Sequence, residues 1–210
     1  MSAAADFARR IMVESELLLQ TVLQIPSAQR QLVEACCRHS SKSHFRSVLD
    51  LGCGAGAYAG HFCFDQYLGI DSDPARIAVA RRKYGVDAGA SFVAADVSME
   101  TLYGSGSFDL VLLIGILHHL DDASAQELLT NVARRLSGDG IVVSLDPYRH
   151  DNQTALSRFV QFLDRGSYIR PKPAYLKLLP DGLGAAHLQT SDSALLFPQD
   201  LLMMILERRQ

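Results

Sequence analysis

The sequence predicts an α/β protein built on a doubly wound, mainly parallel sheet. Short apolar runs alternate with helical segments from about residue 46 to residue 145. Several predicted strands end in an aspartate, and the first is followed by glycine at every second position. Because open α/β sheets bind ligands beyond the carboxyl ends of their strands, these acids and glycines mark the predicted site.

The composition narrows the class of protein. A chain of 210 residues with 48% hydrophobic and 20% charged residues predicts one soluble globular domain. The net charge of −3 and the lack of a Lys/Arg run disfavour a nucleic-acid partner. The four cysteines have no zinc-binding spacing and predict reduced thiols. Charged residues near the N-terminus exclude a signal peptide, and no apolar stretch is long enough to cross a membrane, so we expect a cytoplasmic protein.

The first 44 residues are predicted to form a helical segment that precedes the sheet. Apolar side chains recur at helical spacing over residues 4–24, and Pro26 ends that helix. Ser27 is in position to cap a second helix. Two interpretations of residues 1–44 remain open, a helix pair that covers the sheet and a lid over the glycine-containing loop.

The glycine-containing loop that begins at Gly52 is the most informative stretch. The run Val48–Leu51 before it predicts a short buried strand, and the glycines then allow backbone angles that other residues avoid. A helix is predicted next, over Ala57–Phe64, with N-terminal N–H groups that would face a bound molecule. The spacing of Gly52, Gly54 and Ala57 also satisfies the dinucleotide-binding fingerprint, and such a loop can be a purely structural turn.

Two further predicted strands end in acids. The second strand ends at Asp71, which lies 19 residues beyond Gly52, where a carboxylate can accept both hydroxyls of a ribose. Asp73 and Pro74 then predict the start of a helix. The third strand ends at Asp96, again at the edge of the sheet where ligands bind.

The fourth predicted strand, Phe108–Ile114, is almost continuously apolar, as expected for a central parallel strand covered on both faces. His118 and His119 follow it, before an amphipathic helix. A turn at Ser137–Gly140 leads into the fifth strand, which ends at Asp146. Two short helices and two closing strands are then predicted, over residues 151–163, 173–179, 185–191 and 201–207.

From about residue 46 onward, the sequence resembles the class I S-adenosylmethionine-dependent methyltransferases. The segments that carry the resemblance, in order, are Val48–Gly56, Tyr67–Pro74, Asp96–Val97, Phe108–Val111, Leu117–Leu120 and Leu136–Gly140. The last departs at two positions from the family's usual leucine-x-proline-glycine-glycine. The resemblance implies a Rossmann-like sheet of seven strands, mostly parallel with an antiparallel last strand. It implies one methyltransferase domain over residues 45–210, after a helical cap over residues 1–44.

The resemblance also implies a cofactor site for S-adenosyl-L-methionine, which leaves as S-adenosyl-L-homocysteine. Asp50 and the backbone of Gly52 and Gly54 would hold the methionine part, and Asp71 would take the ribose hydroxyls. Asp96 would accept from the adenine amino group. The other implied cofactor contacts are the Val97 N–H, the Ile114 carbonyl, Cys53 and Ser72.

Candidate residues for catalysis follow the fourth and fifth strands. A neutral histidine is the usual base near pH 7, which makes His119, ahead of His118, a candidate, and Tyr148 is a third. The His-His pair is also a common structural turn in the family. A metal site at these histidines is the weaker interpretation, because the adjacent acids are typical helix caps, and we expect no metal.

Acceptor contacts are predicted at the end of the fifth strand and in a later basic and aromatic loop. The residues are Asp146, Arg149, Arg165, Tyr168 and Arg170. The chain lacks the Asn/Asp-Pro-Pro-aromatic run typical of enzymes that methylate nucleobase amines, which favours a small-molecule acceptor. The alternative is a protein that binds the cofactor without methylating, as a cyclase or as a partner subunit.

Overall fold

The fold consists mainly of one sheet, which is covered by helices on both faces. The computed structural model describes residues 26–85, 89–99, 103, 104, 106–163, 166–191 and 200–209. Their strands are β1 (His44–Leu51), β2 (Cys63–Asp71), β3 (Ala90–Ala94), β4 (Phe108–Ile114), β5 (Leu136–Arg149), β6 (Arg170–Pro171), β7 (Leu183–Ser191) and β8 (Leu201–Arg208). The helices are α1 (Pro26–Ser40), α2 (Pro74–Tyr84), α3 (Asp122–Arg135), α4 (Ala155–Leu163) and α5 (Lys172–Leu176), and a 3-10 turn covers Leu117–His119.

The strand order is β3-β2-β1-β4-β5-β8-β7, and the two-residue β6 pairs with the end of β5. The five neighbouring strands β3, β2, β1, β4 and β5 run parallel to one another. Strand β8 is antiparallel to both β5 and β7. The predicted α/β class, the mainly parallel sheet and the antiparallel last strand are confirmed. The short β6 makes an eighth strand that the sequence did not predict.

Each face of the sheet buries its own set of apolar side chains. Successive residues of a strand point to opposite faces, so Leu49 and Val111 lie in one cluster and Val48 and Leu110 in the other. Helices α1 and α2 contribute buried residues to the Val48 cluster, and α3 and α5 to the Leu49 cluster. Because both faces are covered, the central strands are apolar at almost every position.

The predicted helix over Ala57–Phe64 is wrong. Consecutive turns fill the connection from β1, and β2 begins at Cys63, inside the predicted helix. Gly56, which directly precedes the predicted helix, has a φ of +76°, and Gly60 lies within the predicted helix. Each glycine costs a helix about 1 kcal/mol relative to alanine. The parallel pairing of β2 with β1 from Cys63 onward takes up the remaining residues.

The predicted turn at Ser137–Gly140 is also corrected, because these residues lie within β5. In place of the predicted turn, the structure has a shift of register in the pairing of β4 with β5. Phe108 lies opposite Leu136, but Leu110 lies opposite Ile141. The extra residues of β5 are therefore accommodated as an irregularity of the pairing.

The helix predicted to start near Ser27 is confirmed as α1. Its Leu32 and Cys36 are buried in the same cluster as Phe45 and Val48 of β1. The helix predicted over residues 4–24 lies outside the described residues. The domain boundary after residue 44 stays a prediction, and the described part of the proposed cap packs directly on the sheet.

Candidate functional site

The glycine-containing loop leaves the sheet at the carboxyl end of β1. Gly52 and Gly54 have φ values of +74° and +54°, which favour glycine. A Cβ on Gly52 would lie 2.3 Å from Cδ1 of Ile116, so another residue would have to displace that side chain as well as adopt a strained φ. No atom of the described residues lies within 4 Å of a Cβ built on Gly54. The loop is therefore packed against the protein at Gly52 and open at Gly54.

Asp71, at the end of β2, holds this loop in place. Its Oδ2 accepts the backbone N–H of Gly54 at 2.9 Å, and its Oδ1 accepts the N–H of Asp73 at 2.8 Å. The residue is 7% exposed. A carboxylate has about four acceptor positions, so two remain for hydroxyl donors of a ligand.

Asp50 forms a second acid behind the loop. It is 1% exposed, and its Oδ2 accepts a hydrogen bond from the hydroxyl of Tyr67. Burial, with a smaller contribution from the charge of Asp71, raises the pKa of Asp50 to about 7, although the Tyr67 hydrogen bond opposes the shift. Burial and the charges of Asp50 and Asp71 also raise the pKa of the Cys53 thiol. The loop therefore lies between two carboxyl groups, an environment that favours a cationic ligand.

The remaining predicted cofactor residues lie along the same edge of the sheet. Asp96 follows β3, is exposed, and accepts the Ser98 N–H at 2.8 Å, a bond that lowers its pKa. Val97 is partly buried against the core, and Ser72 is exposed beside Asp71. Ile114 ends β4, next to β1 in the sheet. The structure thus brings the ends of four neighbouring strands together.

A buried histidine–aspartate pair joins the turn after β4 to the end of β5. Asp146 Oδ1 lies 2.8 Å from Nδ1 of His118 and accepts the His118 backbone N–H at 3.2 Å. The two residues are 2% and 1% exposed. His119 is exposed, and its ring centroid lies 4.1 Å from that of His118. Of the two predicted bases, His119 therefore faces the solvent side and His118 the core.

The segment after α4 covers this pair. A Cβ on Gly166 would lie 2.1 Å from Cδ2 of His118, so the Gly166 backbone lies directly against the imidazole ring. The Tyr168 N–H also donates to the His118 carbonyl at 3.0 Å. The contacts restrict access to His118 but leave His119 exposed.

Arg170 has a different position from the one predicted. Its buried guanidinium donates to the carbonyls of Leu117, Tyr168 and Leu120 at 2.6–3.0 Å, and its Nε bonds Asp122 at 2.8 Å. These bonds saturate one side chain with partners from the protein itself. The prediction that Arg170 grips the acceptor is therefore replaced by a positioning role for the 3-10 turn, and Arg165 lies outside the described residues.

Tyr148 lines a polar region that the sequence did not reveal. It is 7% exposed and its ring stacks on that of His150 at 5.0 Å. The carboxylate of Asp200 accepts the Ser157 hydroxyl at 2.7 Å and lies 3.3 Å from Nε2 of His150. These residues are up to 52 positions apart in the chain and have no shared spacing, so no sequence signal pointed to them.

The described residues contain neither a candidate membrane-spanning helix nor a candidate metal site. No helix there combines the length and the apolar character needed to cross a bilayer. No group of three or more His, Cys, Asp or Glu side chains is arranged there to hold a metal ion.

Known proteins resemble this chain in sequence and fold. A family model described as a methyltransferase domain matches residues 48–140. Ajmaline N-methyltransferase of Rauvolfia serpentina is 29% identical over 112 residues, which cover 50% of this chain and 38% of that protein. This chain therefore aligns with well under half the length of that relative.

Solved structures share the fold at low identity. The N-methyltransferase NodS from Bradyrhizobium japonicum WM9, in complex with S-adenosyl-L-homocysteine, has a TM-score of 0.65 at 20% identity and covers 88% of this chain and 87% of its own. The [4+2]-cyclase SpnF has a TM-score of 0.68 at 15% identity and covers 87% and 80%. The matched family model spans the glycine loop, the acids Asp50, Asp71 and Asp96, and the His-His turn. Residues 48–140 therefore match a methyltransferase domain, and these comparisons support a class I S-adenosylmethionine-dependent methyltransferase with S-adenosyl-L-methionine as its cofactor.

Proposed function

We propose that this protein transfers the methyl group of S-adenosylmethionine to an oxygen, nitrogen or carbon atom of a small molecule. The observation that carries the proposal is the bond from the Gly54 N–H to Asp71, with Asp50 buried behind it. This arrangement presents an open glycine, a carboxylate and no lysine to a ligand. Such a loop suits a cationic nucleoside better than a triphosphate.

The residues present fit three polar parts of the cofactor, namely its ribose hydroxyls, its adenine amino group and its cationic methionine end. Asp71 retains acceptor positions for two ribose hydroxyls, and the exposed Asp96 can accept from an adenine amino group. Asp50 provides a negative charge for the cationic methionine end once its proton is lost. The cofactor supplies an activated methyl group, so the protein contributes chiefly alignment, which is worth about 7–11 kcal/mol in well-oriented reactions.

We assign the acceptor-side chemistry to the turn after β4. His119 is exposed and can take a proton from an acceptor O–H or N–H. His118 and Asp146 hold the turn from below through their buried hydrogen bonds. Tyr148 lies two residues beyond Asp146 on the same face of β5, where it can contact the acceptor.

A small molecule is the favoured class of acceptor. The net charge is −3, and the chain lacks the run of basic residues that nucleic-acid binding requires. The curated relative is named for an N-methylation of ajmaline, which supports the same class. The identity at 29% over half the chain does not extend that relative's substrate to this protein.

The direct experiment measures S-adenosylhomocysteine release from the purified full chain with a panel of small hydroxyl, amine and carbon acceptors. We expect release that depends on acceptor and that falls at least about tenfold in His119→Gln when the acceptor must lose a proton. His187→Gln, on β7, is the matched control for loss of an imidazole. Tight cofactor binding without release on any acceptor would overturn methyl transfer and favour a cyclase or partner-subunit role.

A further inference from the structure

A cleft of about 840 Å³ lies beyond the carboxyl end of β5. It is bounded by the end of β5, by α4 and by the start of α5. Its lining includes the side chains of Tyr148, Arg149, Arg158, Phe162 and Lys172. A cleft of this volume falls within the range of small-molecule sites.

The cleft carries a local excess of positive charge. Arg149, Arg158 and Lys172 line it, against one carboxylate, that of Asp151. Within the described part of the chain, no hydrogen bond or ion pair engages the side chain of Arg149 or Lys172. Arg158 donates to the carbonyl of Asp151, so its guanidinium keeps its full charge. Because the whole chain has a net charge of −3, this concentration of cations is not a general feature of the protein.

The imidazole in the cleft lies beside an internal carboxylate. His150 also lines the cleft, but its Nε2 lies 3.3 Å from the carboxylate of Asp200, which is 8% exposed and accepts the Ser157 hydroxyl. The carboxylate of Asp200 is therefore held by an internal network, in which it accepts hydrogen bonds from Ser157 and Gln153. The three cations of the cleft remain available to an external anion.

The wall of the cleft is apolar and aromatic. Phe162 is 82% exposed, although it is one of the largest apolar side chains of the protein. Tyr148, Pro171 and Pro173 contribute further apolar surface. A ligand with an aromatic or aliphatic body would cover Phe162 and gain about 25 cal/mol for each Å² of apolar surface buried.

The cleft begins close to the proposed methyl-transfer site. Asp146, which bonds His118, and Tyr148, which lines the cleft, are two residues apart on one face of β5. Two residues of a strand span about 7 Å. One small molecule can therefore contact the cleft and also reach the turn that holds His119.

We propose that this cleft binds the anionic group of the methyl acceptor. The acceptor class is a small molecule with an apolar ring or chain and one carboxylate or phosphate, held by Arg149, Lys172 and Arg158. This inference rests on the proposed function, because it specifies the acceptor of that reaction. It moves anion recognition from Arg170, which is bonded internally, to cations on three other elements.

The test compares matched probes on the full chain saturated with S-adenosylhomocysteine. The probes are 4-hydroxybenzoate, 4-hydroxyphenyl phosphate and the neutral 4-hydroxybenzamide, with affinities from titration calorimetry or ligand-observed NMR. We expect at least one anionic probe to bind about tenfold more tightly than the amide, as charge-assisted hydrogen bonds predict. The preference should shrink at 0.5 M salt, a condition that shortens the Debye length to about 4 Å.

The double variant Arg149→Gln/Lys172→Gln should reduce the anion preference to about twofold or less, since it removes two of the three cations. The double variant Arg82→Gln/Lys83→Gln makes the same change of charge on α2 and should keep the preference. Equal affinity for anionic and neutral probes in the wild type, or an equal loss in both double variants, would overturn the cleft assignment.

The cofactor measurement separates this inference from the function on which it rests. Both double variants should bind S-adenosylhomocysteine as the wild type does, because none of the four residues lies at the glycine loop. Normal cofactor binding together with methyl transfer to neutral acceptors only would refute the anion site and leave the methyltransferase function intact. Failure of the wild type to bind S-adenosylhomocysteine would refute both.

Discussion

The carboxylate of Asp71 accepts the backbone N–H of Gly54 at 2.9 Å and thereby joins the end of β2 to the loop after β1. The same carboxylate accepts the N–H of Asp73 at 2.8 Å. One side chain therefore both shapes the glycine loop and offers its remaining lone pairs to a ligand.

Replacing Asp71 should weaken cofactor binding strongly. Asp71→Ala removes both the loop contact and the ribose acceptor, and we expect affinity for S-adenosylhomocysteine to fall at least about thirtyfold, on the order of 2 kcal/mol. Titration calorimetry measures the affinity. Asp73→Ala is the control, because Asp73 caps α2 through the N–H groups of Ala75 and Arg76. It should cost about 1 kcal/mol of stability and leave the affinity nearly unchanged, and unchanged affinity in Asp71→Ala would remove the ribose assignment.

The raised pKa of Asp50 predicts a pH-dependent stability of the ligand-free protein. The folded-state pKa is about 7 against an ordinary value of 3.8, so the folded state binds this proton more tightly than the unfolded state. The contribution to stability is fully present below about pH 4 and is lost as the pH rises through about 7, by up to about 4 kcal/mol. Denaturant unfolding of the wild type and Asp50→Asn between pH 5 and 8 isolates the effect.

Asp50→Asn should flatten this pH dependence, because an amide does not titrate in that range. Its affinity for S-adenosylhomocysteine should also lose any rise between pH 6 and 8 that the wild type shows. Parallel stability curves for the two proteins would contradict the proposed burial of a neutral carboxyl group.

The contact of Gly166 with His118 predicts intolerance of a single methyl group. A Cβ would lie 2.1 Å from Cδ2 of His118, so Gly166→Ala must displace either the ring or the covering segment. We expect a loss of about 1–3 kcal/mol in the free energy of unfolding. Gly138→Ala is the matched control, since no described atom lies within 4 Å of a Cβ there, and it should change stability by less than about 0.5 kcal/mol.

The guanidinium of Arg170 should be required for the turn that carries His118. Arg170→Lys keeps the charge but cannot reach Leu117, Leu120 and Tyr168 at once, and leaves buried carbonyls without donors. We expect a loss of about 2–4 kcal/mol in unfolding experiments. Asp122→Asn removes only the ion pair with a side chain that is 77% exposed, so it should cost about 1 kcal/mol or less. Similar losses of unfolding free energy in the two variants would refute the role of Arg170 in positioning the turn.

Local patterns predicted the sheet well, but they predicted the connection after β1 and the start of β5 badly. β1, β4 and β8 were predicted from short apolar runs, which are typical of buried strands in an α/β sheet. The helix over Ala57–Phe64 failed because Gly60 weakens it and because pairing with β1 extends β2 back to Cys63. Pairing between strands is a tertiary effect, which propensity within one segment does not contain.

The candidate site divides in the same way. The sequence alone indicated the family resemblance, the cofactor class and the acids at the strand ends, because motif spacing along a strand–loop unit is local. Only the tertiary structure decided that Arg170 clamps a turn and that His118 is buried while His119 is exposed. It likewise decided that Arg149, Arg158 and Lys172 share one cleft. Those facts depend on which residues, distant in the sequence, come into contact in the fold. The burial and the hydrogen-bond partners of a charged side chain determine its role, and spacing in the sequence does not specify either.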